Sequence, residues 1–218
     1  LGNLDVIVER NVEVPMRDGT LLRADIWRPD LAGQFPVLIE RTPYDKTASS
    51  ESSLGAGEYY ASHGYVTVIQ DVRGRFASDG LFYPFRDDGD GENQDGYDTV
   101  EWAAAQPWSN KKIGTIGGSY SGATQYRMLA TQPPHLVAQF VRQSSSDYYI
   151  EWVYRSGVFE HGFNISWTLK HASTNAVKLA PDGMEDEVVT RLTKASDDYL
   201  KWLEHVPISP LLPVADLQ

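Results

Sequence analysis

The residues of this chain best suited to chemistry lie at 114–122, Gly-Thr-Ile-Gly-Gly-Ser-Tyr-Ser-Gly, where a β-branched run ends in a serine turn close to G-x-S-x-G, with Ser121 in place of the last glycine and Gly122 one position on. A serine hydroxyl is a weak nucleophile unless its Oγ is exposed and a base stands within hydrogen-bond reach. A sharp strand-to-helix turn supplies the exposure. Residues 112–116 read as the strand, and 123–130 (Ala-Thr-Gln-Tyr-Arg-Met-Leu-Ala) continue as the helix. Gly117 and Gly122 flank the serine in space, where side chains would crowd the turn. Ser119 is therefore the candidate nucleophile for acyl transfer. The helix N-terminus turns its N–H groups toward a developing oxyanion, and the N–H of Tyr120 is the expected first donor. Such chemistry requires neither metal nor cofactor, and none is expected.

A second donor is sought upstream. The short buried-strand pattern Phe-Pro-Val-Leu-Ile-Glu at 35–40 runs into Arg41-Thr-Pro-Tyr44-Asp-Lys, a loop after an early strand. Tyr44 can offer its phenol O–H there in place of a backbone N–H, or it can be a packed surface aromatic. The base is harder to place among His63, His135, His161, His171 and His205. His205 has the right chain order behind Asp197 and Asp198, but it ends a helical pattern, whereas such a histidine belongs on a loop after a strand. His63, before Gly64, reads as a helix C-terminal residue favoured by the dipole. The acidic run Asp87-Asp-Gly-Asp-Gly-Glu-Asn-Gln-Asp95 invites a calcium reading but fails the EF-hand template: Asn93 and Thr99 break positions of that pattern. It is expected to be a solvated loop whose acids support the helix starting near Tyr97.

The elements that must position these residues alternate. Residues 12–29 form two alternating segments around Asp18-Gly19, a hairpin signal, so the fold opens with antiparallel strands. A strand over 35–40, a helix over 57–63 and a strand over 65–71 imply a parallel pair with a right-handed crossover. A helix over 97–105, the strand and helix around Ser119, and a strand over 136–142 continue an α/β sheet covered on both faces. From Asp147 the pattern changes to aromatic-rich, helix-length segments over about 148–160, 163–178 and 185–203, with no further strand expected. The expected organisation is a core over 1–146, a helical cap over 147–206 and a proline-bearing connector over 207–218. Tyr148, Tyr149, Trp152, Phe159 and Trp167 of the cap are candidates for an acyl pocket, against the plainer reading that they pack the cap.

At 218 residues with 41% apolar side chains, the chain can bury a sizeable core. Its net charge of -11 argues against nucleic acid and anionic membranes as partners, both of which would repel it. No apolar run approaches the length of a membrane span. The absence of cysteine excludes disulfides, a cysteine nucleophile and thiolate zinc sites, and fits any compartment. Leu1 in place of a methionine suggests a mature start, weakly favouring a secreted or periplasmic protein.

Taken together, residues 41–46 (Arg-Thr-Pro-Tyr-Asp-Lys), 71–80 (Asp-Val-Arg-Gly-Arg-Phe-Ala-Ser-Asp-Gly), 96–102 (Gly-Tyr-Asp-Thr-Val-Glu-Trp), 106–109 (Gln-Pro-Trp-Ser) and 118–122 resemble the cocaine esterase-like hydrolases. That family also includes α-amino-acid ester hydrolases, cephalosporin acylases and X-Pro dipeptidyl peptidases. The resemblance implies an α/β-hydrolase sheet with the nucleophile elbow and the start of a helical cap, Ser119 as nucleophile, and an oxyanion hole made of the Tyr44 O–H and the Tyr120 N–H. It assigns the 71–80 segment a structural role. It also implies that the triad aspartate and histidine follow the cap, so the C-terminal half of the fold is expected to be absent from this chain and to act as its partner. The expected substrate is a small ester or amide, with dipeptidyl peptidase activity or a non-catalytic interaction role as alternatives. A peptidase or amino-acid ester hydrolase would hold the substrate amine with acids such as Asp147 and Glu151. Homo-oligomers are left open.

Overall fold

A computed structural model describes residues 3–48, 53–89, 91–180 and 182–204. The chain divides into two compact units, Leu1–Ser146 and Asp147–Gln218.

The first unit is built on a six-stranded sheet. Strands β1 (Val6–Pro15) and β2 (Leu21–Pro29) pair antiparallel, with register matching Pro15 to Leu21 across the loop that contains Asp18 and Gly19. That loop is closed by the Met16 N–H donating to the Thr20 carbonyl. Strands β3 (Phe35–Thr42), β4 (Val66–Asp71), β5 (Ser109–Gly118) and β6 (Leu136–Arg142) are mutually parallel, in the order β1-β2-β4-β3-β5-β6. Helix α1 (Ser53–Ser62) connects β3 to β4, α2 (Asp95–Ala104) connects β4 to β5, and α3 (Tyr120–Leu129) connects β5 to β6.

Alternation along β4 sorts the two faces. Val66 and Val68 join Val37, Ile39 and Ile113 against Val100 and Ala103 of α2 and Met128 of α3. Ile69 points the other way, to Trp27 and Ala61 of α1. A parallel sheet buried on both faces reads as continuous apolar runs, as β4 does. The last strand is different: Val137 and Phe140 of β6 are 64% and 61% exposed.

The second unit departs from the helical expectation. Residues 148–160 hold a single π-helical turn, Tyr149–Val153, followed by a hairpin of β7 (Tyr154–Arg155) and β8 (Val158–Phe159). The reason is local: Ser156 and Gly157 both take positive φ, 50° and 81°, as a two-residue hairpin turn requires. The Ser-Gly dipeptide between aromatic and β-branched residues was the signal. Helix α4 spans His161–Leu179, while the stretch expected over 185–203 is broken at Asp198 into α5 (Glu185–Asp197) and α6 (Tyr199–Trp202). Ile165, Leu169 and Ala195 form one small core between α4 and α5, and Ala176, Val188 and Leu192 another. No helix among the described residues is long and apolar enough to cross a membrane. The connector over 207–218 lies outside the described residues.

Candidate active site

Ser119 stands where β5 ends and α3 begins, with φ 54° and ψ -124°. That backbone region is essentially reserved for glycine and costs a larger residue about 1–3 kcal/mol. Its surroundings hold it there. The Ser119 N–H donates to the Arg142 carbonyl at 3.0 Å, and the Ser119 carbonyl accepts from the N–H groups of Gly122 and Ala123, each at 3.0 Å. Two glycines make room: a Cβ on Gly117 would stand 2.5 Å from Ser121 Cβ, and one on Gly122 would stand 2.6 Å from Ser144 Cβ. Gln125, buried one turn into α3, fastens the helix to the strand. It accepts from Thr115 Oγ1 at 2.9 Å and donates from Nε2 to the carbonyls of Gly117 and Ser121, at 3.3 and 3.1 Å. Sequence reasoning passed over Gln125, although its position four residues after Ser121 places it on the same face of the helix.

Tyr120 follows the serine and contributes the first N–H of α3. Its side chain is only 2% exposed, its O–H oxygen accepts from the Phe85 N–H at 3.0 Å, and its ring stacks on Phe85 at 4.2 Å. Burial pushes the phenol well above its usual range, so it remains neutral.

Tyr44 meets Tyr120 edge-on, with ring centroids 6.4 Å apart. The loop that carries it is anchored on both sides. The Tyr44 N–H donates to Thr42 Oγ1 at 3.1 Å, and the Val72 N–H donates to the Thr42 carbonyl. Arg75 Nε donates to the Pro43 carbonyl at 2.9 Å. Lys46 binds Asp71 twice, from its N–H at 2.8 Å and from Nζ at 3.0 Å, with both side chains buried. Asp71 also accepts from the Ala77 N–H; burial nevertheless pushes its carboxyl above the ordinary range against these partners.

The acidic loop is corrected by the structure. Asp87, Asp88 and Asp95 are buried, not solvated. Asp88 accepts from Arg41 at 2.8 Å, and Asp95 accepts from Arg73 at 2.6 and 2.9 Å. Arg73 reaches on to Asp18 in the β1–β2 loop at 2.7 Å, and Arg41 also donates to Gln70. Their charges are spent on holding the loops after β3 and β4 to the start of α2, because a buried arginine demands a carboxylate partner. Among the described residues no group of three His, Cys, Asp or Glu could hold a metal ion.

On the α1 face of the sheet lies a cavity of about 350 Å³ lined in part by Glu40, Tyr59, Tyr60, Gly117, Phe140 and Arg142. Burial raises the Glu40 carboxyl above its usual range, opposed by a hydrogen bond from Ser121 and the charge of Arg142.

The fold thus sets the ring of Tyr44 against that of Tyr120, the residue after Ser119, in the first unit. The five aromatics of the expected pocket belong to the second unit and pack against residues of that unit: Tyr148 stacks on Trp152 at 5.2 Å, Tyr149 and Phe159 both meet Tyr154, and Trp167 meets His171. His63 closes α1, with Nδ1 2.7 Å from the Tyr59 carbonyl, and His135 precedes β6, 2.7 Å from Glu101. Both lie where parallel strands start, at the opposite edge of the sheet from Ser119. His161 belongs to the second unit, and His205 lies outside the described residues.

Comparison with known proteins identifies the family and the fold. Cocaine esterase of Rhodococcus sp. (strain MB1 Bresler) is 42% identical over 145 residues, 65% of this chain and 24% of the esterase. A CocE/NonD family hydrolase from Staphylococcus aureus superposes with a TM-score of 0.72 at 29% identity, covering 95% of this chain and 40% of that protein. An α-amino acid ester hydrolase superposes with a TM-score of 0.64 at 26% identity, covering 98% and 40%. The chain therefore spans well under half the length of these relatives. Residues 18–209 match the X-Pro dipeptidyl-peptidase (S15) family, and the chain belongs to that family of α/β-hydrolases.

Proposed function

We propose that this chain is the nucleophile-bearing part of a serine hydrolase that transfers an acyl group from an ester or amide to water. Ser119 Oγ attacks the substrate carbonyl and passes its proton to a base. The carbonyl oxygen takes up negative charge between the Tyr44 O–H and the Tyr120 N–H. Loss of the alcohol or amine leaves an acyl-enzyme, which water then cleaves to the acid.

The observation that carries this reading is the positive φ of Ser119 at the junction of β5 and α3. Strain of that kind persists where the surrounding structure over-determines it, and it clusters at sites of chemistry. The likeness to cocaine esterase and to an α-amino acid ester hydrolase supports an ester or amide substrate. The triad acid and histidine are assigned to polypeptide outside this chain, since His63 and His135 stand at the wrong sheet edge. The exposed Val137 and Phe140 of β6 and the adjoining cavity are surfaces suited to receive that polypeptide. Tyr148, Tyr149, Trp152, Phe159 and Trp167 are proposed to line the acyl pocket. Tyr149, 68% exposed in its unit, is free of the crowding that would bar a ligand.

A fluorophosphonate probe tests the reading on the polypeptide of full family length. Wild type is expected to label at one site and Ser119→Ala not at all. Equal labelling of both would assign the reactive nucleophile to another residue, and labelling of neither would leave the elbow as a structural turn of a non-catalytic protein. Turnover of p-nitrophenyl esters against an Xaa-Pro p-nitroanilide then separates esterase from dipeptidyl peptidase. The peptidase alternative requires an acid for the substrate amine, and Asp147 already accepts from the Ile150 N–H at 2.9 Å.

A further inference from the structure

Arg75 has one of the largest fully buried side chains of the chain, 2% exposed, and sits directly behind the Tyr44 loop. Its Nε–H donates to the Pro43 carbonyl at 2.9 Å, one peptide unit before Tyr44. Its own turn is closed on both sides: the Arg75 N–H donates to the Val72 carbonyl, and the Arg75 carbonyl accepts from the Ser78 N–H. The guanidinium carbon lies 5.0 Å from the centroid of the Phe82 ring and 4.9 Å from that of Phe76. Phe82 in turn packs 6.0 Å from the ring of Tyr120, which Tyr44 meets edge-on.

A guanidinium in such a place is expensive. Burial drives its pKa down, and the nearby Asp71 carboxylate counters this. A methionine or leucine would fill the same volume against Phe76 and Phe82 without the desolvation cost. Packing alone does not explain a cation here; one feature of arginine does: it ties down the carbonyl that precedes Tyr44.

We propose that Arg75 is a positioning residue of the oxyanion hole, holding the Tyr44 phenol in place through the Pro43 carbonyl. The inference rests on the acyl-transfer reading of Ser119 and Tyr44. Arg75 exchanges no proton: the Ser119 Oγ–carbon bond forms, the carbonyl π electrons move to oxygen, and the Oγ proton goes to the base.

The test is a double-mutant cycle in the polypeptide of full family length, with kcat and KM on a p-nitrophenyl ester, melting temperature, and fluorophosphonate labelling. Arg75→Met is expected to lower kcat about 10- to 100-fold, less than or equal to the loss of a whole donor. KM should stay within about twofold. In a Tyr44→Phe background the same change should cost almost nothing further, because residues acting through one group are not additive. Arg75→Lys keeps the charge and loses the fork, and should show a smaller loss that also vanishes with Tyr44→Phe. It carries the same comparison should Arg75→Met fail to fold. A silent Arg75→Met, or a loss of equal size in both backgrounds, overturns the inference while labelled wild type keeps the acyl-transfer reading intact. Unlabelled wild type overturns that reading and this inference with it.

Discussion

At Ser119 the strain is kept up by neighbours whose side chains are either absent, as at Gly117 and Gly122, or fully engaged, as at Gln125. Tyr44 is held as firmly, and its O–H is the proposed oxyanion donor. Tyr44→Phe is expected to lower kcat about 10²- to 10³-fold, with the melting temperature almost unchanged, as steady-state kinetics and thermal unfolding would report. An undiminished kcat would remove the phenol from the mechanism. Glu40 gives a prediction of another sort. Its carboxyl is raised in the folded state chiefly by burial, so it favours folding when protonated. That contribution is full below the ordinary carboxylate value and is lost as pH rises through the raised one. Glu40→Gln should therefore raise the melting temperature by a few degrees at neutral pH and leave it unchanged in acid. A fall at neutral pH would mean that Ser121 and Arg142 outweigh burial. The glycine-flanked Ser119 turn and the Tyr44 loop were legible as residue types in order. Gln125, Glu40 and Arg75 were not, because a single buried polar residue has no pattern around it.

Elements were legible in proportion to how local their causes are. The β1–β2 hairpin, the β3–α1–β4 unit and the elbow follow from alternation, glycine punctuation and β-branched runs, and the structure has each of them. Residues 148–160 were misread because aromatic density was taken for helix, while the Ser156-Gly157 turn decided for a hairpin. The acidic loop was misread for a different reason: whether Asp88 and Asp95 face water or an arginine depends on β3 and β4, far away in sequence. At this scale the Lys46–Asp71 pair is the decisive fastening of the Tyr44 loop. Lys46→Met leaves Asp71 buried without its cation and is expected to cost about 3–5 kcal/mol in chemical denaturation. Activity should fall further than the folded fraction does, since the loop carrying Tyr44 is released. A loss below about 1 kcal/mol would show that Asp71 takes up a proton once its cation is gone, as its raised carboxyl allows.

Across the whole first unit, the sheet order β1-β2-β4-β3-β5-β6 gathers the ends of β3, β4 and β5 at one edge, and ion pairs lace that edge to the opening hairpin. Arg73 holds the Asp18 carboxyl down at about 2. A depressed acid stabilises the fold above its ordinary value and loses that contribution as pH falls toward the depressed one. Acid unfolding is therefore expected to draw on Asp18 between about pH 4 and pH 2. Asp18→Asn should flatten that part of the stability curve, with only a modest cost at neutral pH because Asp18 is a third exposed. An unchanged acid limb would show that Asp18 and Arg73 remain paired in the unfolded chain. The sequence by itself determined the α/β alternation, the elbow with Ser119 and the identity of the loop bearing Tyr44, because these rest on periodicity and on residues a few positions apart. Only the tertiary structure decided that Tyr44 meets Tyr120, that Asp88 and Asp95 serve Arg41 and Arg73, and that His63 and His135 stand at the wrong edge, because each depends on which strands the sheet sets side by side.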